Sequence, residues 1–459
     1  MIRTKKIILF IGDIALLYFA LWVTLRLRFW SSYTPQIWQE HILPFSLVFI
    51  LWIVVFYINN LYSVNLYKNN FRFYAYLLQN QILNTVLALI FFYSVPTSFT
   101  SLRPLRILAI LVITYTIFFL LWRRLFYSLS ASNTLAANVL FIGLDRQAIE
   151  LIEEMKDKPQ MGYKTALIIQ LDPAVLPPEV SHLPIHRDLI QLKQLIIDLK
   201  INTVVTSTDP RHAAQISKYL FDTINLQLRY FNLPDFYELI TGKIPVASLE
   251  KNWFLENISQ GRNVLFESFK RVEDIILAGT LGILTSPVTL ILAIMIKLDS
   301  AGPILYSQQR TGKGGKTFMT HKFRSMRQDA ESGGQAVWAA KNDSRVTKIG
   351  RFMRRSRLDE IPQVINILNG EMSFVGPRPE RPEFVKILNE QIPFYTERLL
   401  VKPGLTGWAQ INFPYGDSVE DAMKKLQYDL FYIKNRSLAL DLSIILKTIN
   451  TVFNRTLGQ

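Results

Sequence analysis

The sequence predicts a mixed membrane-helical and α/β protein. Its parts are a four-helix transmembrane bundle, a small Rossmann-like α/β domain, and a re-entrant membrane helix leading into a mainly helical, cytoplasm-facing domain. Three observations carry this. Four apolar runs of spanning length occupy the first 122 residues, short strand-like runs then alternate with helical stretches, and a fifth apolar run contains Ser-Pro and precedes a basic stretch. The chain has 459 residues, a formal net charge of +15 and 50% hydrophobic residues, with a mean hydropathy of +0.19. That length allows several domains. Soluble nucleic-acid binders share the charge but rarely the hydrophobicity, so no nucleic-acid partner is expected. A lipid bilayer, with a cationic face toward phosphates, accounts for both properties. The absence of Cys excludes disulfides, a thiolate nucleophile, thiolate zinc sites and Cys lipidation.

Residues 1–128 hold the four spans: Ile7–Leu25, Ile42–Leu61, Leu77–Val95 and Leu105–Trp122. Each is close to the ~20 residues that a helix needs to cross the hydrocarbon layer. The third opens with Gln79, Asn80, Gln81 and Asn84, so its polar end is expected to face other helices. The first run is too long for a cleavable signal, and no small-residue cleavage site precedes Arg26 and Arg28. Arg3, Lys5 and Lys6 precede the first span and Arg123 and Arg124 follow the fourth, against Arg26, Arg28 and Arg103 in the intervening loops. This modest bias puts the N-terminus and the body in the cytoplasm. Asp13, inside the first span, is expected to snorkel or to pair with a nearby cation.

Residues 129–232 read as the α/β domain, with strands at Val139–Ile142, Ala166–Gln170, Thr203–Thr206 and Leu226–Phe231. After Gly143, Asp145 stands where a dinucleotide fingerprint needs its second glycine. Its charge opposes a pyrophosphate, which favours a scaffold role. Residues 233–265 contain Pro234, Gly242, Pro245 and Gly261 and read as a connector.

The last domain, 266–459, begins with the apolar run Ile275–Ile296. Ser286-Pro287 lies in its middle, and proline removes a helix hydrogen bond. Lys270 and Arg271 precede the run and a basic stretch follows it. A helix that breaks, dips and returns keeps both flanks in the cytoplasm; the alternative is a fifth span. The break must then be buried or re-satisfied, because lipid offers no hydrogen bonds. From Lys297 to Glu360 there are fourteen Lys/Arg against six Asp/Glu, or +8, over half of the chain's +15. The tail, Phe431–Phe453, suits an amphipathic segment lying at the interface.

Two familiar motifs fail. Gly315-Lys316-Thr317 lacks the earlier glycine of a P-loop, because Arg310 occupies that position; Gly312, Gly314 and Gly315 suit a turn beside a phosphate site. His182 and His186 have i, i+4 spacing, but Pro184 lies between them, which opposes a zinc site. Asp359-Glu360 is more informative. It follows Arg351, Arg354, Arg355 and Arg357 and precedes Pro362, a residue suited to a helix's first turn. Side chains on adjacent helical residues diverge by about 100°. One carboxylate can therefore attack phosphorus while the other faces a metal such as Mg²⁺. The alternative is dipole compensation at a helix N-terminus. Lys322 and Arg324 share one face if extended. Arg378 lies in a rigid Gly-Pro-Arg-Pro segment, and Lys402 in a Lys-Pro-Gly loop. Cations held on such segments suit diphosphate oxygens.

Taken together, these segments resemble the bacterial sugar transferase family, the monotopic phosphoglycosyl transferases. The likeness covers about 266–453. It runs through SPVTLILAIMIKLDSAGPILYSQQRTG (286–312), KFRSM, RRSRLDEIPQVINILNGEMSFVGPRPERP (354–382), KPGLTGWAQI (402–411) and LQYDLFYIKNRSLALDLSIILKT (426–448). The four spans and α/β domain resemble the long form that primes exopolysaccharide or O-antigen synthesis, and PYGDSVEDAMKKLQYDL (414–430) leans toward exopolysaccharide members. The resemblance implies a two-step exchange at a bacterial inner membrane. Asp359 attacks the β-phosphorus of a UDP-hexose, UDP-glucose being the first guess, and releases UMP. Undecaprenyl phosphate then takes the hexose phosphate from the aspartyl intermediate. Glu360 is implied to position Mg²⁺, Arg354 and Arg378 to contact phosphate, with Arg310, Lys322, Arg324 and Lys402 as weaker carry-overs. Ser286-Pro287 matches the break of the re-entrant helix. The family often has His after the Arg near position 398, whereas Leu399 and Leu400 follow here. A homodimer through the α/β domain is left open.

Two other classes compete. A membrane nucleotide-sugar dehydratase shares the front end but needs a Tyr-x-x-x-Lys pair, and none of the 19 Tyr has Lys four residues later. A non-catalytic scaffold binding acidic lipid would not need Asp359-Glu360.

Overall fold

The computed structural model describes residues 2–63, 70–94, 105–131, 136–171, 178–207, 214–258, 264–327, 345–413, 416 and 418–453. Val95, Arg103, His212, Gly261, the 328–344 part of the charged stretch and parts of the 414–417 motif lie outside them. The chain forms two compact units, Met1–Thr241 and Gly242–Gln459.

The first unit opens with helices α1 (Ile2–Phe29), α2 (Pro35–Ile58), α3 (Phe71–Ser94) and α4 (Leu105–Ala131). All four are long and apolar enough to cross a membrane. They close around one core that includes Leu21, Phe45, Trp52, Phe56, Tyr115 and Phe119. Asn80, Gln81 and Asn84 are buried, so the polar end of α3 faces protein. Helix α4 continues nine residues past Trp122, which changes the role of Arg123. It is no flanking cation. It is fully buried and paired with the equally buried Asp13 at 2.5 Å, and it also donates to Leu61 O at 2.8 Å. A charge in an apolar bundle needs such a partner.

The α/β part contains β1 (Ala137–Ile142), α5 (Arg146–Asp157), β2 (Tyr163–Ile169), β3 (Ile185–His186), α6 (Leu192–Asp198), β4 (Ile201–Thr206), α7 (Ala214–Phe221), β5 (Arg229–Asn232) and α8 (Leu233–Thr241). The sheet is parallel, in the order β3-β2-β1-β4-β5. The last strand starts later than its hydrophobic pattern suggests. Ile224–Leu226 forms a 3₁₀ turn closed by Gln227 at φ 53°. Asp145 caps α5, accepting from the Gln147 and Ala148 amides at 3.0 and 2.7 Å. A side-chain cap therefore occupies the amides that a phosphate would need.

The stretch read as a connector is folded into both units. Leu233, Phe236, Tyr237 and Ile240 follow helical spacing and bury one face of α8 in the sheet's core. Beyond the unit boundary, Ile244, Val246, Leu249 and Trp253 enter the core of the second unit.

That unit contains α9 (Lys251–Asn257), α10 (Val264–Asp299), β6 (Leu305–Thr311), β7 (Thr317–Phe323), α11 (Lys348–Ser356), α12 (Val364–Leu368), β8 (Ser373–Val375), α13 (Pro382–Gln391), β9 (Gly404–Thr406), α14 (Trp408–Asn412), α15 (Val419–Lys434) and α16 (Leu438–Phe453). Helix α10 is also long and apolar enough to span. Ser286 and Pro287 lie inside this one helix rather than between two separate ones. Pro287 cannot donate to the Ile283 carbonyl four residues back. The Ser286 hydroxyl donates to that carbonyl instead, at 2.8 Å, and Thr285 donates to Leu281 O at 2.7 Å. Side-chain hydroxyls thus keep this stretch satisfied within its own helix. The tail also differs from expectation. It is two helices, α15 ending at Lys434 and α16 starting at Leu438. Both contribute to the core, through Leu430, Tyr432, Ile433 and Ile444.

Removing one partner of a buried ion pair costs about 3–5 kcal/mol. Arg123→Ala is expected to destabilise the helical bundle by that order in thermal unfolding of the detergent-solubilised protein. Exchanging the charges, Asp13→Arg with Arg123→Asp, should recover part of the loss. An unchanged midpoint in Arg123→Ala would contradict the assignment.

Candidate active site

Three segments meet around Asp359 and Glu360, and a fourth braces one of them. The first is the β6–β7 hairpin. In its antiparallel register Tyr306 faces Lys322 and Arg310 faces Phe318. Side chains alternate between faces along a strand, so Tyr306, Gln308, Arg310 and Lys322 share one face, and all four line one cavity. The turn between the strands is made by Gly312–Gly315, with Gly314 and Gly315 at positive φ.

The second segment is α11 together with the turn at its C-terminal end. The helix ends on Arg357 in the left-handed region, φ 58°. That reversal starts the 3₁₀ helix Leu358–Gln363, which carries Asp359 and Glu360 and runs into α12. The carboxylates therefore sit in a 3₁₀ turn, not in the first turn of an α-helix. Pro362 lies inside that turn.

The third and fourth segments are the Gly-Pro-Arg-Pro run after β8 and the Lys-Pro-Gly loop before β9. Gly376 N donates to Thr406 O and Gly404 N to Pro377 O, both at 2.9 Å. A Cβ on Gly376 would fall 2.4 Å from Lys402 O, and one on Gly404 would fall 2.1 Å from Gly376 N. Only glycines allow the two loops this close, and the contact fixes the backbone that presents Arg378.

Glu360 gathers the site. Its Oε1 accepts from Lys322 Nζ at 2.9 Å and from Arg378 Nη2 at 2.6 Å, with Arg357 at 3.7 Å. Burial works to raise its pKa, but Arg378, Lys322 and Arg357 outweigh burial and hold it well below the ordinary carboxylate range. Asp359 moves the other way. Burial and then the Glu360 charge push its carboxyl up, against Lys322, Arg357 and Arg354. Two adjacent acids thus have opposite protonation tendencies, a pattern typical of functional sites. Asp359 lines a cavity of about 400 Å³, and its buried Oδ1 has no hydrogen-bond partner.

The remaining expected residues separate. Arg310 and Arg354 line the same cavity as Asp359, Lys322 and Arg378. Arg310 donates to Gln308 Oε1 at 2.6 Å and Pro379 O at 3.2 Å, and Arg354 to Ser325 Oγ at 2.9 Å. Arg324 is turned to another task. It reaches the cavity wall, but its Nη2 donates to Ser300 O at 2.6 Å and Ser300 Oγ at 3.0 Å. It serves the orphan carbonyl end of α10, as a cation at a helix C-terminus does. Lys402 is absent from the lining of this cavity and lines a second, smaller one.

Sequence reasoning did not single out the Arg398–Asp429 pair. Arg398 donates to Asp429 Oδ2 at 3.1 Å, to Tyr395 OH at 2.7 Å and to Arg378 O at 3.0 Å. It holds the backbone of the residue that holds Glu360. Thirty-one positions separate Arg398 from Asp429, so no local pattern announces the contact.

Mg²⁺ typically takes one or two protein carboxylates, with substrate phosphates and water completing its shell. The second oxygen of Glu360 fits that small donor set. Three cations already surround Glu360 Oε1 and oppose a bare metal ion there.

Comparison with known proteins places these observations. A family model described as bacterial sugar transferase matches residues 265–455. The UDP-N-acetylgalactosamine-undecaprenyl-phosphate N-acetylgalactosaminephosphotransferase of Aeromonas hydrophila is 38% identical over 240 residues, 52% of this chain and 56% of that protein. The UDP-glucose:undecaprenyl-phosphate glucose-1-phosphate transferase of Escherichia coli (strain K12) is 35% identical over 314 residues, 65% of this chain and 64% of that one. An uncharacterized sugar transferase of Haemophilus influenzae is 30% identical over 343 residues, 69% of each chain. The chain thus spans under two thirds of the first two relatives.

Because burial and the Glu360 charge both disfavour the Asp359 carboxylate, Glu360→Gln should lower the Asp359 pKa. The carboxyl ¹³C shift of Asp359, followed through a pH titration, is the measurement. A pKa that stays in place or rises would refute the coupling.

Proposed function

The chain belongs to the bacterial sugar transferase family, and from that premise we propose that it transfers a hexose 1-phosphate from a UDP-hexose to undecaprenyl phosphate. The observation that carries the proposal is the pair of adjacent buried acids. Asp359 faces a cationic cavity with an unpartnered oxygen, and Glu360 is neutralised behind it by Lys322 and Arg378. The sugar could be glucose or N-acetylgalactosamine, the two named for the relatives above; glucose is the working choice, as a primer of exopolysaccharide synthesis.

The first step forms a bond from an Asp359 carboxylate oxygen to the phosphorus that bears the sugar and breaks the phosphoanhydride to UMP. The second forms a bond from a phosphate oxygen of undecaprenyl phosphate to the same phosphorus and frees Asp359. Each step exchanges one anhydride for another, so little driving force is required. The task left to the protein is positioning and charge. Arg378 and Lys322 lend their donors to phosphate oxygens, with Arg310 and Arg354 on the same wall. Arg398 keeps Arg378 in place. Bound at Glu360, Mg²⁺ would supply neutralisation of diphosphate charge.

The membrane reading belongs to the same proposal. Helices α1 to α4 cross the bacterial inner membrane, and the body faces the cytoplasm. Helix α10 enters and returns on one side, bending at its Pro287 turn, so that a lipid phosphate meets the site at the cytoplasmic face. Pairing of two copies through the α/β part is a further expectation.

Membranes carrying the protein, incubated with radiolabelled UDP-hexose and undecaprenyl phosphate, should produce a lipid-linked sugar and UMP. Asp359→Asn should abolish both, and turnover retained in that variant would sink the nucleophile assignment. A panel of UDP-glucose, UDP-galactose and UDP-N-acetylhexosamines identifies the sugar. The chain has no Cys, so single cysteines placed at either end of α10 report topology directly. Protection of both from a periplasm-restricted thiol reagent supports re-entry, whereas labelling of one restores a fifth span.

A further inference from the structure

Lys402 and Arg271 converge outside the proposed catalytic cavity. They line a separate small cavity of about 30 Å³ between the start of α10 and the Lys-Pro-Gly loop, with Glu267, Asp274 and Arg436. The charges there sort themselves. Lys270 is ion-paired to Asp441 at 2.7 Å and to Asp274 at 3.2 Å, with Glu273 at 3.5 Å. Arg436 is paired to Glu267. The acids therefore already have cations.

Two cations are left without a carboxylate of their own. Arg271 is held rigidly by the end of α12, donating to Ile367 O and Leu368 O at 2.6 Å each. Lys402 Nζ has no hydrogen-bond or ion-pair partner among the described residues. Both point at Gly370, whose backbone lies at φ +81°. A Cβ there would fall 3.5 Å from Lys402 Nζ and 3.7 Å from the Arg271 guanidinium. The two cations therefore lie side by side against the Gly370 backbone. Burial lowers the Lys402 pKa, and the charges of Arg271 and Lys313 add to that against those of Asp274 and Glu267. An anion placed there would relieve that repulsion.

The apolar surroundings indicate which anion. On the turns of α10 that carry Arg271, the residues facing away from the cavity are exposed and apolar: Leu265, Phe269, Val272 and Ile276. On α12, beside the carbonyls that hold Arg271, Leu368 is exposed as well. A fixed guanidinium and a free ammonium, beside exposed apolar residues at the entry of a membrane helix, match a headgroup at the lipid–water boundary. We propose that Lys402 and Arg271 form a binding site for the phosphate of an anionic phospholipid, separate from the Asp359 cavity. This rests on α10 lying in the bilayer. The bound lipid would tie the entry point of α10 to the cytoplasmic leaflet.

The test uses the full chain in phosphatidylcholine vesicles with no sugar nucleotide present. Association of spin-labelled phosphatidylglycerol is compared with that of spin-labelled phosphatidylcholine. A cation near a lipid surface is worth about 1 kcal/mol, or roughly a fivefold preference. Wild type should prefer phosphatidylglycerol. Lys402→Gln should lose about that factor, Lys402→Arg should keep it, and Lys386→Gln, on the exposed face of α13, should not change it. Equal selectivity in wild type and Lys402→Gln would overturn the site, as would an equal loss in Lys386→Gln. Displacement of the lipid by millimolar inorganic phosphate would assign it to a free anion and overturn the lipid proposal. UMP release is measured separately on the same vesicles. Turnover can therefore fail while lipid selectivity stands, and the reverse.

Discussion

The buried carboxylate of Glu360 is the interaction on which the second unit's organisation turns. One oxygen receives Lys322 from a hairpin strand and Arg378 from a proline-bounded loop, with Arg357 from the preceding helix terminus nearby. A carboxylate in such a setting is costly alone and stable when surrounded by donors. It draws together segments that share no secondary structure. The same charge raises the pKa of its neighbour Asp359. One electrostatic arrangement therefore supplies both the cationic wall and a more basic adjacent oxygen.

A second tier of contacts keeps that arrangement in register. Arg398, itself anchored by Asp429 and Tyr395, fixes the Arg378 carbonyl. The close glycine contact of the two loops fixes the turn that precedes Arg378. Asn366 on α12 accepts from His321 N and donates to Met319 O, which locks the β7 strand to the 3₁₀–helix segment. None of these side chains needs to touch a substrate to matter, because each limits the motion of one that lines the cavity.

Helix α10 shows how cations serve structure as well as chemistry. At one end Lys270 sits within a cluster of acids, including Asp274, which also accepts from Ser373 and from the Phe374 amide. At the other end Arg324 serves the terminal carbonyls. Between them, Ser286 replaces the donor that Pro287 lacks. In an apolar setting no water completes such bonds, and here the protein completes them itself. The charge that looked like one phosphate-binding field is therefore divided among the wall of the Asp359 cavity, helix ends and the pair beside Gly370.

How much was legible in the sequence depends on the range of each signal. Apolar runs, strand-like segments and the Asp359-Glu360 pair are local patterns, and local patterns set the four long helices, the parallel sheet and the candidate nucleophile. The α8 helix was legible too, in the spacing of Leu233, Phe236, Tyr237 and Ile240, but Pro234 and Gly242 disguised it as a connector. Rescue of Pro287 by the preceding serine depends on hydroxyl direction, which composition does not reveal. Arg123 looked like a flank until tertiary packing placed it against Asp13, 110 positions away. Arg324 and Lys402 carry the same charge as Lys322 and Arg378, and only the folded chain separates them. Sequence by itself determined which residues could bind phosphate. Tertiary structure decided which of them line one cavity together, because a cation's role depends on the carbonyl, carboxylate or open space that it meets, and those partners lie far away along the chain.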